Sequence, residues 1–172
     1  LLKNEQALPL KRAQTVALLG VSSYDLIAGG TGSGDVNEAY TVSLEQGLAG
    51  AGFGIHVPAK ELFEAHRRAH AEAFVKPEGF AAMFQPYDPP EIPVAPARMR
   101  KIAADADIAV VTIGRNSGEG GDRRQKDDFL LSAAERELIA NACSAFHGVG
   151  KKVVVVLNIG GVIETASWKE QP

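Results

Sequence analysis

Short apolar runs alternate along this chain with longer amphipathic stretches. Unbroken apolar runs of this length are typical of strands buried on both faces. They predict four strands, at Thr15–Val21, Phe53–Val57, Ile108–Ile113 and Lys152–Leu157. Apolar residues spaced three and four apart predict helices, at Thr41–Ala51, Lys60–Val75, Ala97–Ala104 and Ser132–Phe146. The last begins with Ser132 and Glu135 at the spacing of a capping box.

The alternation of strand and helix predicts an α/β fold. We expect a three-layer, doubly wound and mostly parallel sheet with helices on both faces. Residues 1–14 are polar and mixed, so they are interpreted as a leading arm or linker before one domain, 15–172. The proline-rich stretch Pro77–Pro96 is predicted to be a loop. It is longer than an ordinary connector, which is typical of a functional or interface segment.

The carboxyl ends of parallel strands meet at one edge of a sheet, and ligands bind there. Three loops follow predicted strands in this way: Ser22–Asp35, Gly114–Asp128 and Asn158–Gly161. They are also the loops richest in glycine and small polar residues. This edge is therefore the predicted functional edge of the domain.

Composition and charge exclude several classes of protein. The 172 residues are 45% hydrophobic, enough for a core, and the net charge of -3 offers no basic footprint for a nucleic acid. Strictly apolar stretches such as Ile108–Val111 and Val153–Leu157 reach at most five residues, which is too short to span a bilayer. The single Cys143 cannot form an internal disulfide. We expect neither a metal nor a cofactor.

The first residue is Leu1, with neither Met nor a signal peptide. We therefore expect the chain to be a piece of a longer protein, truncated at its carboxyl end as well. The compartment stays open.

The segment Ala28–Asp35 (AGGTGSGD) has the densest glycines in the chain. Glycine loops after strands can cradle phosphate, but this one lacks the third glycine of the dinucleotide fingerprint and the Lys-Ser/Thr pair of a P-loop. A flexible surface turn, a phosphate- or nucleotide-binding loop, and a loop that brings Ser33 against a neutral polar ligand all remain open. Of these, phosphate binding is the weakest.

The segment Arg115–Arg124 (RNSGEGGDRR) carries a second candidate chemistry. Glu119 has glycine on both sides, so its carboxyl group can reach into a cleft and act as a general acid or base. Arg115, Asp122 and Arg123 can brace the loop through ion pairs or tune the acidity of Glu119. From these residues alone, a solvated charged loop is the stronger interpretation.

Five segments in order change that balance. They are LLKNEQALPL, GGTGSGDVN, IGRNSGEGGDRR, DFLLSAAERELI and KKVVVVLNIGGVIETASW, and together they run from Leu1 to Trp168. This ordered set resembles glycoside hydrolase family 3. The family joins an N-terminal barrel to an α/β sandwich domain, and the chain resembles the sandwich domain alone.

The resemblance implies a retaining, exo-acting β-glycosidase of the β-glucosidase type, whose substrate is a terminal β-linked sugar. The nucleophile would be an aspartate of the barrel, the partner domain that this chain lacks. The family's GEGxDR motif assigns the general acid/base to Glu119, with Asp122 and Arg123 as the motif's tail. Relatives often carry an aromatic residue where this chain has Gly121.

In the family the GTGSG loop faces the barrel, which makes Gly32 and Ser33 candidates for the sugar-binding rim. Because the nucleophile lies elsewhere, we expect the isolated chain to be inactive. A non-catalytic carbohydrate-binding or interface domain remains the alternative from another class.

Other residues are given structural interpretations. His66 and His70 are interpreted as a solvated helix face, since two arginines and no glutamate lie between them. Trp168 is interpreted as a packing residue. Asp127 and Asp128 are interpreted as the approach to the helix cap at Ser132.

Overall fold

The computed structural model describes residues 1–34, 39–77, 79, 87–116 and 122–170. Its strands are β1 (Thr15–Leu19), β2 (Gly54–Ile55), β3 (Ile108–Arg115) and β4 (Lys152–Ile159). Its α-helices are α1 (Leu44–Gly50), α2 (Val57–Ala69), α3 (Pro96–Asp105) and α4 (Ala133–His147). All eight elements predicted from the sequence are present.

The four strands form one parallel sheet in the order β2-β1-β3-β4. The chain runs from β1 to β2 on one side, then crosses to β3 on the other side of β1. This reversal makes the fold doubly wound and sets a topological switch point between β1 and β3. The β3–β4 pair is the longest, extending from Ile108↔Lys152 to Arg115↔Ile159.

Helices cover both faces of the sheet, as the sequence predicts. On one face α2, α3 and α4 form the larger core, whose fully buried side chains include Met99, Leu138 and Phe146. On the other face Leu44 and Leu48 of α1 pack against a smaller cluster centred on β1 and β3. Because helices cover both faces of the sheet, side chains on both sides of each central strand are buried, which explains the continuous apolar runs.

The helix ends follow local side-chain chemistry. At α4 the Ser132 hydroxyl accepts the Glu135 N–H and the Glu135 carboxylate accepts the Ser132 N–H, which confirms the predicted capping box. Helix α2 begins at Val57, three residues before the predicted start. His56 is its cap, since Nδ1 accepts the Ala59 N–H at 3.3 Å. Histidine is not among the preferred cap residues, so the pattern missed this start.

Two glycines let the chain that leaves β1 cross against the end of β3. Gly20 has φ +92°, and a Cβ there would collide with the carbonyl group of Thr112. A Cβ on Gly114 would overlap the side chain of Ser22. Only glycine allows both close approaches. They bring the Ser23 and Thr112 hydroxyls to 2.7 Å in the buried interior.

The predicted loop Pro77–Pro96 is irregular from residue 87 to residue 95, although residues 78 and 80–86 lie outside the described structure. Its described end returns over the sheet. The His66 imidazole hydrogen-bonds the Pro90 carbonyl oxygen, with Nε2 at 2.8 Å. In the described ranges we find no helix long and apolar enough to cross a membrane.

Candidate functional site

A cleft of about 230 Å³ opens at the switch point, between the exit of β1 and the end of β3. Open parallel sheets bind ligands at this place, because the loops from the two strands diverge there. Val21 and Ser22 form one wall and Gly114 to Asn116 the facing wall. The remaining lining residues are mostly polar or charged, and they include Asp25, Tyr87, Glu91, Arg124, Asp128 and Glu135.

The three predicted loops do meet at this edge. Asn158, near the end of β4, accepts the Ile27 N–H at 2.8 Å and donates to the Ile27 carbonyl at 3.0 Å. The Gly160 N–H donates to the Arg115 carbonyl at 3.2 Å, and Arg123 Nη2 donates to the Gly160 carbonyl. These contacts confirm the predicted gathering of loops.

A buried ion pair lies at the base of the cleft. The eight residues of β3 carry Arg115 to the edge of the sheet, where Nη2 donates to Glu135 Oε2 at 2.7 Å and Nη1 donates to Glu135 Oε1. Both side chains are buried. Glu135 is also the capping-box residue of α4. One carboxylate therefore fixes both the end of β3 and the start of α4.

Asp128 extends this pair toward the next part of the chain. Its Oδ1 accepts Arg123 Nη1 at 2.6 Å and its Oδ2 accepts the Arg124 N–H at 3.0 Å. Its main-chain oxygen accepts Arg115 Nε at 2.9 Å. The interpretation of Asp128 as the approach to Ser132 missed these contacts. Its closeness in sequence to two arginines was a signal for them.

The predicted site residues of the GEGGDR segment differ in their placement. Arg115 lines the cleft, and Arg123 lies partly buried beside it through Asp128 and Gly160. Asp122 is exposed. Glu119 lies outside the described residues, so its assignment as acid/base stays a prediction.

The glycine-rich segment Ala28–Asp35 contributes less to the cleft than the GEGGDR segment does. Gly32 has φ +66° and begins a short turn that ends at Gly34, where the Gly30 N–H donates to the Gly34 carbonyl at 2.9 Å. Gly32 is not among the described cleft-lining residues. The Ser33 side chain lies outside the described structure. The assignment of these two residues to a sugar-binding rim remains a prediction.

Glu91 is a cleft residue that the sequence reasoning missed. Its Oε1 accepts the Val21 N–H at 3.1 Å and the Ile92 N–H at 2.6 Å. Burial raises the pKa of this carboxyl group to about 7. The N–H at the exit of the first strand is where a phosphate binds in nucleotide-binding relatives of this fold. Here the chain's own carboxyl group takes that donor, which argues against the nucleotide-binding alternative.

Tyr87 adds a second contact from the same segment, since its hydroxyl donates to Asp25 Oδ2. Burial and this hydrogen bond raise the pKa of Tyr87. Residues 87–91 are therefore held at two points, Val21 and Asp25, against the loop that follows β1, which we call the β1 exit loop. Within the described ranges, no three His, Cys, Asp or Glu side chains are grouped to hold a metal ion.

Trp168, Cys143 and the two histidines near the end of α2 lie away from the cleft lining. Trp168 is buried, and its Nε1 donates to the Glu164 carbonyl at 2.7 Å, which confirms packing. Cys143 is buried in the face of α4. His70, the residue that follows α2, is exposed, as interpreted from the sequence, whereas His66 on α2 is half-buried and hydrogen-bonds the Pro90 carbonyl oxygen. The two rings lie 4.5 Å apart.

Comparison with known proteins identifies relatives over the full length. Residues 1–172 match the family model "Glycosyl hydrolase family 3 C-terminal domain". Beta-glucosidase A of Butyrivibrio fibrisolvens is 30% identical, and the match covers 99% of this chain and 22% of that protein. A beta-glucosidase of Ruminococcus albus is 28% identical over 95% of this chain and 17% of that protein.

A solved structure agrees with the sequence match. The chain superposes on beta-glucosidase 3B from Thermotoga neapolitana in complex with glucose with a TM-score of 0.86 and 35% identity. That superposition covers 99% of this chain and 24% of the other. The chain therefore spans about a quarter or less of the length of these relatives.

The buried ion pair gives a stability prediction. Glu135→Gln keeps the spacing of the capping box but removes the carboxylate charge that pairs with both terminal nitrogens of the buried Arg115 guanidinium. We expect the free energy of unfolding to fall by about 3 kcal/mol in urea denaturation. The matched change Glu45→Gln, in a half-exposed pair with Lys60, should cost less than about 1 kcal/mol. Equal losses for the two variants would contradict the role given to this pair.

Glu91 gives a pH prediction. The folded chain keeps this proton to about pH 7, whereas the unfolded chain releases it near the ordinary pKa of 4.5. The unfolded state then binds fewer protons, so this group's contribution to stability falls between those pH values and is level above them. Glu91→Gln cannot ionise and still accepts both N–H groups.

Urea denaturation across pH 4.5 to 8 should therefore show a flatter profile for Glu91→Gln than for the unchanged chain, with the variant gaining stability relative to it as pH rises. The same change at exposed Glu137 is the control and should keep the original slope. Parallel profiles for the unchanged chain and Glu91→Gln would contradict the assignment.

Proposed function

The chain belongs to the glycosyl hydrolase family 3 C-terminal domain family, and from that premise we propose that it is the second domain of a longer retaining exo-β-glycosidase of the β-glucosidase type. In this proposal Glu119 is the general acid/base, and the nucleophile is an aspartate of an N-terminal barrel. The substrate is a terminal β-linked sugar bound between the two domains. Relatives that carry the name beta-glucosidase, and that are at least four times as long, support this assignment.

The observation that carries the proposal is the location of the residues on either side of Glu119. Asn116 and Arg124 both line the cleft at the carboxyl edge of the sheet. The segment that carries Glu119 in sequence therefore leaves and rejoins the fold at the edge where parallel sheets bind ligands. An acid on this segment can reach a sugar that is held by a facing domain.

The proposed mechanism needs two carboxyl groups about 5–5.5 Å apart. The barrel aspartate attacks the anomeric carbon while Glu119 donates its proton to the departing glycosidic oxygen. Glu119, now ionised, takes a proton from water, which attacks the covalent intermediate and releases the sugar with retained configuration. For the first step Glu119 must be protonated, and burial at the domain junction would raise its pKa to allow this.

The division of labour between the domains also follows from this arrangement. The barrel would hold most of the pocket for the cleaved sugar and would therefore set its identity. Gly32 and Ser33 would contribute to the rim on this side. Arg115, Asp122 and Arg123 would support the segment that carries the acid.

Replacement of the proposed acid/base tests the assignment. In the full-length protein, we expect Glu119→Ala to slow hydrolysis of an aryl β-glucoside by about 100-fold or more, since general acid/base catalysis supplies that factor. Azide needs no base to attack the covalent intermediate, so it should restore part of the rate and give a β-glycosyl azide.

The control is Glu137→Ala, which changes an exposed residue of α4 and should leave the rate unchanged. Hydrolysis by Glu119→Ala at the original rate, or a slow variant that azide does not accelerate, would count against Glu119 as the acid/base.

The isolated chain should be inactive, because the nucleophile lies on the barrel. Residues 1–172, purified alone, should release no measurable aryl alcohol from an aryl β-glucoside under conditions where the full-length protein does. Circular dichroism checks that the isolated chain is folded. Turnover by the folded fragment would contradict a nucleophile on another domain.

A further inference from the structure

We propose that Asp128 is a positioning residue that holds the two ends of the acid/base segment in register, an inference that rests on the proposed function of Glu119. Asp128 would not touch the sugar. It would fix where the segment between Asn116 and Asp122 starts and ends, and through this the place from which Glu119 reaches the glycosidic oxygen.

Asp128 forms hydrogen bonds with residues on both sides of that segment. On the amino side, Arg115 Nε donates to the Asp128 main-chain oxygen at 2.9 Å. On the carboxyl side, Arg123 Nη1 donates to Oδ1 at 2.6 Å and the Arg124 N–H donates to Oδ2 at 3.0 Å. A single residue thus receives one hydrogen bond from before the segment and two from after it.

Asp128 also places a negative charge between two arginines. The guanidinium groups of Arg115 and Arg123 both approach the Asp128 carboxylate, with Nε of Arg115 3.9 Å and Nη1 of Arg123 2.6 Å from Oδ1. Two cations this near one another repel unless an anion lies between them. Glu135 neutralises Arg115. Among the described residues, Asp128 is the carboxylate that pairs with Arg123.

The two ends of the segment depend unequally on the Asp128 carboxylate. Without its carboxylate, Arg115 keeps its bidentate pair with Glu135 inside the fold. Among the described residues, Arg123 would keep its contacts with the main-chain oxygens of Gly160 and Asn116. Loss of Asp128 should therefore release the carboxyl side of the segment while the amino side stays in place.

The local backbone is shaped to present this carboxylate. Residues 124–130 form a wide turn, in which the Phe129 N–H donates to the Arg124 carbonyl and the Leu130 N–H to the Gln125 carbonyl, both at 2.9 Å. Asp127 has φ +57°, a conformation that Asp tolerates better than most residues. The turn brings Asp128 back against Arg123 and Arg124. Its side chain is 20% exposed and lies outside α4, so it contributes less to the core than Glu135 does.

The test compares leaving groups in the full-length protein. A glucoside with a poor leaving group, such as methyl β-glucoside, needs a well-placed acid, whereas 2,4-dinitrophenyl β-glucoside leaves without protonation. For Asp128→Asn and Asp128→Ala we expect kcat/KM on the methyl glucoside to fall by about 100-fold, the loss that a misplaced catalytic group can cause. On the dinitrophenyl glucoside it should stay within about threefold of the unchanged enzyme, since little proton transfer is needed.

The matched control is Asp107→Asn. Asp107 Oδ2 accepts the Thr15 N–H at 2.7 Å at the opposite, amino end of the strands, so this change also removes a carboxylate that fastens two chain segments. It should leave the ratio of the two kcat/KM values unchanged. Equal losses on both substrates in the Asp128 variants would indicate a purely structural role and would overturn the proposal.

Glu119→Ala, measured alongside, separates the two levels of inference. If it shows the leaving-group dependence and the Asp128 variants do not, Asp128 is not a positioning residue but the proposed function stands. If Glu119→Ala shows no such dependence, the acid/base assignment fails, and the inference about Asp128 fails with it.

Discussion

A buried arginine at the end of β3 is the constraint on which the rest of the functional edge depends. A guanidinium cannot be left in the interior without a counter-charge and filled hydrogen-bond sites. Glu135 meets this need from the first turn of α4, and it can do so because the capping box fixes its backbone and side chain. The ion pair therefore joins the third strand, the last helix and the base of the cleft into one unit.

The shape of the cleft is set by close backbone packing and by side-chain hydrogen bonds, which together fix the positions of the loops. Gly20 and Gly114 let the β1 exit loop press against the end of β3, where side chains would collide. Glu91, 70 residues along the chain from Val21, then accepts the N–H that this path leaves exposed. Asn158 fixes the other side of the same loop to β4. Each contact joins different elements, so together they hold the shape of the edge.

Much of the fold could be predicted from the sequence because its signals are local. The apolar runs predict the strands. Ser132 and Glu135, which lie three residues apart, predict the start of α4. The strand–helix order was enough for a doubly wound sheet. The start of α2 could not be predicted, because His56 accepts the capping hydrogen bond with a ring nitrogen that composition does not single out. Strand β2 is limited to Gly54–Ile55, since the two residues that follow, His56 and Val57, are the cap and the first residue of α2.

The sequence predicts at which edge of the sheet the site lies, but it does not predict the hydrogen bonds and ion pairs within the site. Arg115 was recognised as a supporting residue, but its partner Glu135 lies 20 residues away on another element. The contacts of Glu91 and Asp128 depend on the paths that the loops take over the sheet. The spacing of apolar residues in the sequence does not predict those paths. Glu119 was found through the GEGGDR motif and the family resemblance, not through any pairing visible in this chain.

The proposed mechanism requires that Glu119 faces a barrel nucleophile across a sugar. The most direct measurement is the separation of the two carboxyl groups in a crystal structure of the full-length protein with a trapped glycosyl intermediate. We expect a separation of about 5–5.5 Å, the distance of a retaining enzyme. A separation of about 6.5–9.5 Å, typical of inverting enzymes, or a Glu119 turned away from the sugar, would contradict it.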